Sequence, residues 1–393
     1  VTAHESAQVA GIERPVRLLG RSPALDGLRA IAVLLVVLFH ARLTKLGLPR
    51  DNPTDEIVRG GFIGVDLFFV LSGFLITALL LREQAERAKV RIGHFYLRRL
   101  LRLLPALYLV LLAHAIFVYA VQFRIEGGAR SELATLFSAV FYYANWHTLV
   151  QEHVGLAGLG HLWSLSIEEQ FYFVWPLLLA VFFGLRRNIV MVGAVLCGAI
   201  VGVALYRAAL WNSYGWGDAY YRTDARVDGL LIGALLASLW VRNLTPRRGL
   251  APAAWVALGV VFICTLTARA NEGFWNGFGF TVVALATAVI ILAAVDSNWS
   301  VNRFLSLPPM VAVGRVSYGI YLWHFPVFWA VGRWGRDWPD AVRLSVGFGL
   351  TALFTVLSWT LFEKPIMRWG RNRLERPATA PVAETPPSAP AVG

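Results

Sequence analysis

Apolar residues arrive in ten long runs parted by shorter polar stretches, near 25–42, 62–82, 100–122, 166–184, 189–211, 228–243, 251–269, 274–295, 309–332 and 341–363. A helix that crosses a bilayer needs about 20 mainly apolar residues, since each adds about 1.5 Å toward a hydrocarbon core about 30 Å thick. The pattern therefore predicts an all-α, polytopic integral membrane protein of about ten transmembrane helices. An eleventh run, Glu132–Val150 (ELATLFSAVFYYANWHTLV), is ambiguous, because its aromatics and polar ends also suit an interfacial or re-entrant helix.

Positive residues then set the orientation, since cytoplasmic loops retain Lys and Arg. With ten spans and the N-terminus inside, 22 of the 36 Lys and Arg fall on the inner side and 12 on the outer. Making the 132–150 run a crossing would move Arg186–Arg187 and Arg247–Arg248 outward, so ten spans are preferred and both termini are expected to face the cytoplasm. Residues 1–24 read as a cytoplasmic N-terminal arm and 25–376 as one membrane domain. Residues 377–393 read as a disordered Pro- and Ala-rich tail, which has no apolar periodicity with which to bury a core.

Composition sharpens the picture. Of the 393 residues, 57% are apolar or aromatic and 15% charged, which leaves no room for a large solvated domain. The net charge of +12 would suggest nucleic acid in a soluble chain, but in a membrane chain it reports cytoplasmic loops. Cys197 and Cys264 both lie inside apolar runs and support neither a disulfide framework nor a Cys-based metal site, so no metal is expected. A polar arm precedes the first run and a second span follows it, which reads as an uncleaved anchor in the plasma membrane. No internal repeat stands out.

Ionisable side chains at membrane depth are costly and by default mark function. Arg29 and His40 share the first run, eleven residues apart, which is about 16 Å and about three turns, so both lie on roughly one helix face. Asp66, in the second run, and Glu168 and Glu169, at the start of the fourth, are placed near the level of His40. In the ninth, Arg315 stands low, Tyr318 and Tyr321 midway and His324 higher. The expected sorting is a cationic inner half and an outer half of acids and imidazoles. Arg98, Arg99 and Arg102 in FYLRRLLRLLP read equally as a cytoplasmic stop signal or as a phosphate grip. Ser72, beside Gly73, reads as a small residue that permits close helix contact rather than as a nucleophile. His94, His114, His147 and His153 have no constellation around them and are expected to be structural.

Seven blocks in order, LDGLRAIAVLLVVLFH, VDLFFVLSGFLIT, FYLRRLLRLLP, HLWSLSIEEQFYFVWP, RVDGLLIG, SYGIYLWHFP and FEKP, resemble the acyltransferase 3 family of integral-membrane O-acyltransferases from about Leu25 to Lys364. The family's signature of Arg, ten residues and His stands as Arg29 to His40. The chain is expected to be a stand-alone membrane form without a C-terminal hydrolase-like domain. The resemblance implies transfer of a short acyl group, commonly acetyl from acetyl-CoA, to a hydroxyl of a cell-envelope glycan, glycolipid or small-molecule glycoside. It also implies that the signature histidine is essential.

On that basis His40 is expected to act as general base, with Glu168, Glu169 or Asp66 orienting its ring and Tyr321, His324 or Arg226 as candidate oxyanion donors. The acyl-CoA phosphates are expected on Arg29, Arg98, Arg99, Arg102 and Arg315. The competing expectation is a transporter or flippase, for which buried Arg, His, Asp and Glu are equally natural. Release of free CoA from acetyl-CoA would separate the two.

Overall fold

The computed structural model describes residues 17–374, apart from 18, 21, 49–52, 88, 121–127, 151–157, 185–188 and 247. Among the described residues the chain is helical throughout, with no strand. The ten apolar runs each hold a helix: α1 (Pro23–Leu43), α2 (Gly64–Arg87), α3 (Ile92–Ala120), α4 (Leu162–Gly184), α5 (Ile189–Tyr214), α6 (Asp228–Val241), α7 (Leu250–Thr267), α8 (Phe280–Asp296), α9 (Ser317–Trp334) and α10 (Asp340–Ser358). Among the described residues eight helical stretches are long and apolar enough to cross a membrane. The other two are α6, only 14 residues long, and α9, 18 residues long but interrupted by polar side chains. Leu112, Ile116, Val256, Phe262, Ile263 and Val356 stand exposed on α3, α7 and α10, as expected of a multi-pass membrane protein whose outer faces meet lipid.

The 132–150 run is not one helix. It breaks into Gly128–Val140 and Ala144–Val150 at a turn where Tyr142 takes φ 55°. Neither piece can cross, since 13 residues rise only about 20 Å. The ninth run also divides. Pro308–Arg315 ends as a separate short helix and α9 begins at Ser317, with Val316 between them at φ −100° and ψ 10°. Gly314 lets this short helix meet the Asp26 carbonyl of α1 more closely than any Cβ would allow, and the chain is re-aimed immediately afterwards.

The centre of the bundle is the pairing of α2 with α6. A Cβ on Gly73 would lie 2.0 Å from the carbonyl oxygen of Leu230, and one on Gly233 would lie 2.1 Å from that of Val70. Small residues on both helices thus bring the backbones into contact, which is how helices associate where lipid supplies no hydrophobic drive. Gly73 makes that contact, while the neighbouring Ser72 hydroxyl donates to Glu168 instead. The N-terminal arm and C-terminal tail lie mostly outside the described residues, although Arg17 of the arm pairs with Asp296 and Asn243.

Candidate active site

α1 carries Arg29 near its start and His40 near its end, and α9 and α4 pack their own polar residues against the same face. Two cavities result. One, of about 110 Å³, is lined by Arg29, Arg99 and Arg102 together with Ser72, Glu168 and Tyr172. The other, of about 280 Å³, holds His40 and His161 within a wall of Phe39, Phe62, Trp163, Trp216, Tyr220, Tyr221 and Phe325. Val65 and Tyr321 line both and so form the partition.

In the aromatic cavity the ring partner of His40 is another imidazole. His40 Nδ1 lies 2.9 Å from Nε2 of His324, and Nδ1 of His324 lies 3.0 Å from the carbonyl oxygen of Ile320. These contacts assign the tautomers of the neutral rings. A carbonyl only accepts, so His324 donates from Nδ1 and keeps a lone pair on Nε2. His40 must then donate from Nδ1, which leaves the lone pair of its own Nε2 in the cavity. The chain ends on an available base.

None of the expected carboxylates touches His40. Asp66 accepts from Arg226 at 2.9 Å in a fully buried pair, with the Arg226 guanidinium over the Phe280 ring at 3.5 Å. Glu169 accepts twice from Arg99, at 2.6 and 3.1 Å. Glu168 accepts from Ser72 and Tyr172. Position along α4 explains the difference: Glu168 lies seven residues beyond His161, about 10 Å farther along the bundle and level with the arginines. The expected sorting of acids with imidazoles fails there. Each carboxylate is held by donors of its own, which a buried anion needs and which a neutral histidine pair beside it does not supply.

The other expected residues divide as well. The Tyr321 hydroxyl donates to the carbonyl of His161 and accepts from Ser164, 2.6 Å away, so its proton is engaged and not available to an oxyanion. Arg29 lines the arginine cavity and lies 3.6 Å from Asp26. Arg99 lines it while paired to Glu169 and set over the Tyr172 ring at 3.2 Å. Arg102 lines it with no ion-pair partner among the described residues. Arg98 is 42% exposed beside Glu83 and lines neither cavity. Arg315, on its short helix, pairs with the other oxygen of Asp26 at 3.6 Å and opens onto a different recess. Its expected place within the ninth span is lost to the break at Val316.

Sequence reasoning passed over His161. It is buried beside His324 and Phe325, with ring centroids 5.2 and 5.1 Å away, and neither ring nitrogen meets a hydrogen-bond partner of normal geometry. Its signal was present, because it opens the block HLWSLSIEEQ, but no charge or spacing marked it apart. Of the histidines expected to be structural, His114 is buried beside Trp329, His147 lies near Thr135, and His153 lies outside the described residues. Among the described residues no group of His, Cys, Asp and Glu is placed to hold a metal ion.

Comparison with known proteins agrees with the blocks read from the sequence. A family profile described as acyltransferase domain matches residues 22–363. The "O-acetyltransferase OatA" of Staphylococcus aureus is 30% identical over 363 residues, covering 88% of this chain and 57% of that protein. The "Putative peptidoglycan O-acetyltransferase YrhL" of Bacillus subtilis is 32% identical over 374 residues, 90% of this chain and 56% of that one. A "Putative O-acetyltransferase" of Staphylococcus aureus strain COL is 31% identical over 377 residues, 91% and 59% respectively. The chain thus spans less than two thirds of the length of these relatives. No solved structure matches it.

Proposed function

Because the chain belongs to the acyltransferase domain family, we propose that it moves an acetyl group from acetyl-CoA to a hydroxyl of a cell-envelope glycan, with His40 as general base. The observation that carries this is the directed chain from the Ile320 carbonyl through His324 to His40, which presents a lone pair at the edge of an aromatic cavity. Aromatic walls suit a sugar ring, whose C–H faces are apolar and whose hydroxyls need few, well-placed partners. The names of the relatives OatA and YrhL point to the same O-acetyl chemistry, and that of YrhL to peptidoglycan.

The donor enters from the arginine side, for which the excess of Lys and Arg supports a cytoplasmic orientation. Arg29 and Arg102 meet its diphosphate, and the pantetheine arm brings the thioester to the partition at Tyr321. The acceptor hydroxyl gives its proton to Nε2 of His40 as its oxygen bonds to the thioester carbon. Collapse of the tetrahedral intermediate breaks the C–S bond, and the imidazolium returns the proton to the departing thiolate, leaving an O-acetyl ester and free CoA. His324 steadies the imidazolium by accepting from Nδ1. His161, whose ring nitrogens meet no hydrogen-bond partner of normal geometry, is the donor left for the oxyanion.

The test is to mix detergent-purified protein with acetyl-CoA and a peptidoglycan or oligosaccharide acceptor and to follow free thiol and O-acetyl product. Stoichiometric release of both, abolished in His40→Ala with folding intact, is the expected result. A His40→Ala protein that keeps its activity overturns the role of His40. Movement of substrate across the bilayer with no thiol released would make the chain a carrier.

A further inference from the structure

At the end of the bundle where α1 begins, a third recess of about 660 Å³ opens between Pro308–Arg315 and the last helix, Lys364–Leu374. Lys364, Arg368 and Arg371 stand at i, i+4 and i+7 and share one face of that helix. Arg315 faces them from the other wall. Among the described residues no acid pairs with Lys364, Arg368 or Arg371: Glu363, next along the chain, does not line the recess and accepts from Ser358, and Asp26 bridges Arg315 to Arg29 at 3.6 Å on each side. Four cations around one concavity whose lining holds no carboxylate call for an anion of more than one charge.

Two further features restrict that anion. Trp359, half-buried, adds a flat indole to the same wall, a surface on which a heteroaromatic ring stacks. Arg315 and Val316 line this recess while Ser317 and Tyr318, next along the chain, line the arginine cavity. The two spaces therefore flank one turn of backbone, with the Arg315–Asp26–Arg29 bridge between them. Basic residues that served only to orient the chain in the membrane would need neither the concavity nor the indole nor this adjacency.

We infer that the recess binds the adenosine 3′-phosphate end of the acyl-CoA donor. The phosphate sits among Lys364, Arg368 and Arg371, the adenine lies on Trp359, and the diphosphate passes Arg315 to reach Arg29 and Arg102 as the pantetheine arm enters the arginine cavity. The site rests on the donor reading above. It adds a grip on the 3′-phosphate at the last helix to the diphosphate contacts of Arg29 and Arg102. An anionic lipid headgroup offers the same phosphate chemistry but has neither a purine to stack nor an arm to thread.

The experiment measures equilibrium binding of acetyl-CoA and of acetyl-pantetheine, which lacks the nucleotide, to the full chain in phosphatidylcholine nanodiscs. Arg368→Ala/Arg371→Ala should weaken acetyl-CoA at least tenfold and leave acetyl-pantetheine within twofold. Adenosine 3′,5′-diphosphate should compete with acetyl-CoA in the wild type and not in the variant. Arg368→Lys/Arg371→Lys should recover most of the loss, and Trp359→Ala should weaken acetyl-CoA several-fold. Unchanged acetyl-CoA affinity in the double alanine variant overturns the site, and so does an equal loss for both donors, which would mark a structural role. A loss seen only when phosphatidylglycerol is present would make the recess a lipid headgroup site and overturn it too. A wild-type protein that binds neither donor overturns the donor reading itself.

Discussion

The two cavities on either side of Tyr321 handle polarity in opposite ways. On one side, charges are plentiful and mostly neutralised within the protein: Arg99 by Glu169, Arg29 by Asp26, with Glu168 held by two hydroxyls. On the other, the polar groups are imidazoles linked through neutral hydrogen bonds and set among aromatic rings. The difference follows from what each must meet. On the proposed reaction a polyanionic donor is met by fixed cations, whereas a proton acceptor needs its lone pair free to take and return a proton during turnover. A carboxylate beside His40 would stabilise the imidazolium but would itself need burying. A second histidine orients the ring without adding a charge at that depth.

This contrast can be broken most severely at its base. His40→Ala should lower kcat by roughly 10²- to 10⁴-fold, the usual worth of general-base catalysis, with acetyl-CoA affinity unchanged; acceptor-dependent thiol release together with donor binding checks both parts. On the arginine side the largest effect should fall on stability. Arg99→Ala strands Glu169 beside the cavity, and loss of charged hydrogen bonds from this part-buried pair costs about 1.5–3 kcal/mol, so the detergent-solubilised variant should unfold at a lower temperature by intrinsic fluorescence. Arg99→Ala/Glu169→Gln should recover most of that loss.

The relay should respond next. His324→Phe removes the acceptor for Nδ1 of His40, and a hydrogen bond to a group that becomes charged is worth about 1.5–3 kcal/mol, so kcat should fall about 10- to 100-fold with little change in either KM. The aromatic wall should give a smaller effect, confined to the acceptor. Trp216→Ala should raise the KM for glycan about 2- to 10-fold, in line with about 0.5–1.5 kcal/mol for an aromatic contact, and leave the KM for acetyl-CoA alone. Smallest of all is Arg98→Ala, which should stay within about twofold of wild type in steady-state kinetics, because this exposed side chain faces Glu83 and neither cavity.

Much of the fold was legible because it is written in local composition. Each apolar run marks a helix, most of them to within a few residues, although α3 begins eight residues before its run and the ninth run divides, and the family blocks name the face of α1 that carries Arg29 and His40. Partners were not legible, because they meet across the bundle. His40 and His324 lie 284 residues apart, and Asp66 and Arg226 lie 160 apart, distances over which helical periodicity carries no information. Depth misled where a run was counted from its apolar start rather than from its packed neighbours, which set Glu168 and Glu169 level with His40. The break at Val316 was hidden for a related reason: the residues around it remain apolar, and only the close approach of Gly314 to α1 makes the turn necessary. His161 bears no charge and follows a glycine, so nothing but its place in three dimensions distinguishes it.

The partition of Val65 and Tyr321 has a bioenergetic corollary. Two reactants that approach from opposite faces, as proposed above, and meet at a wall shared by these two side chains never require an open water column through the protein. On the proposed reaction, the exterior is decorated at the expense of a cytosolic thioester without short-circuiting the ion gradients on which the same membrane depends.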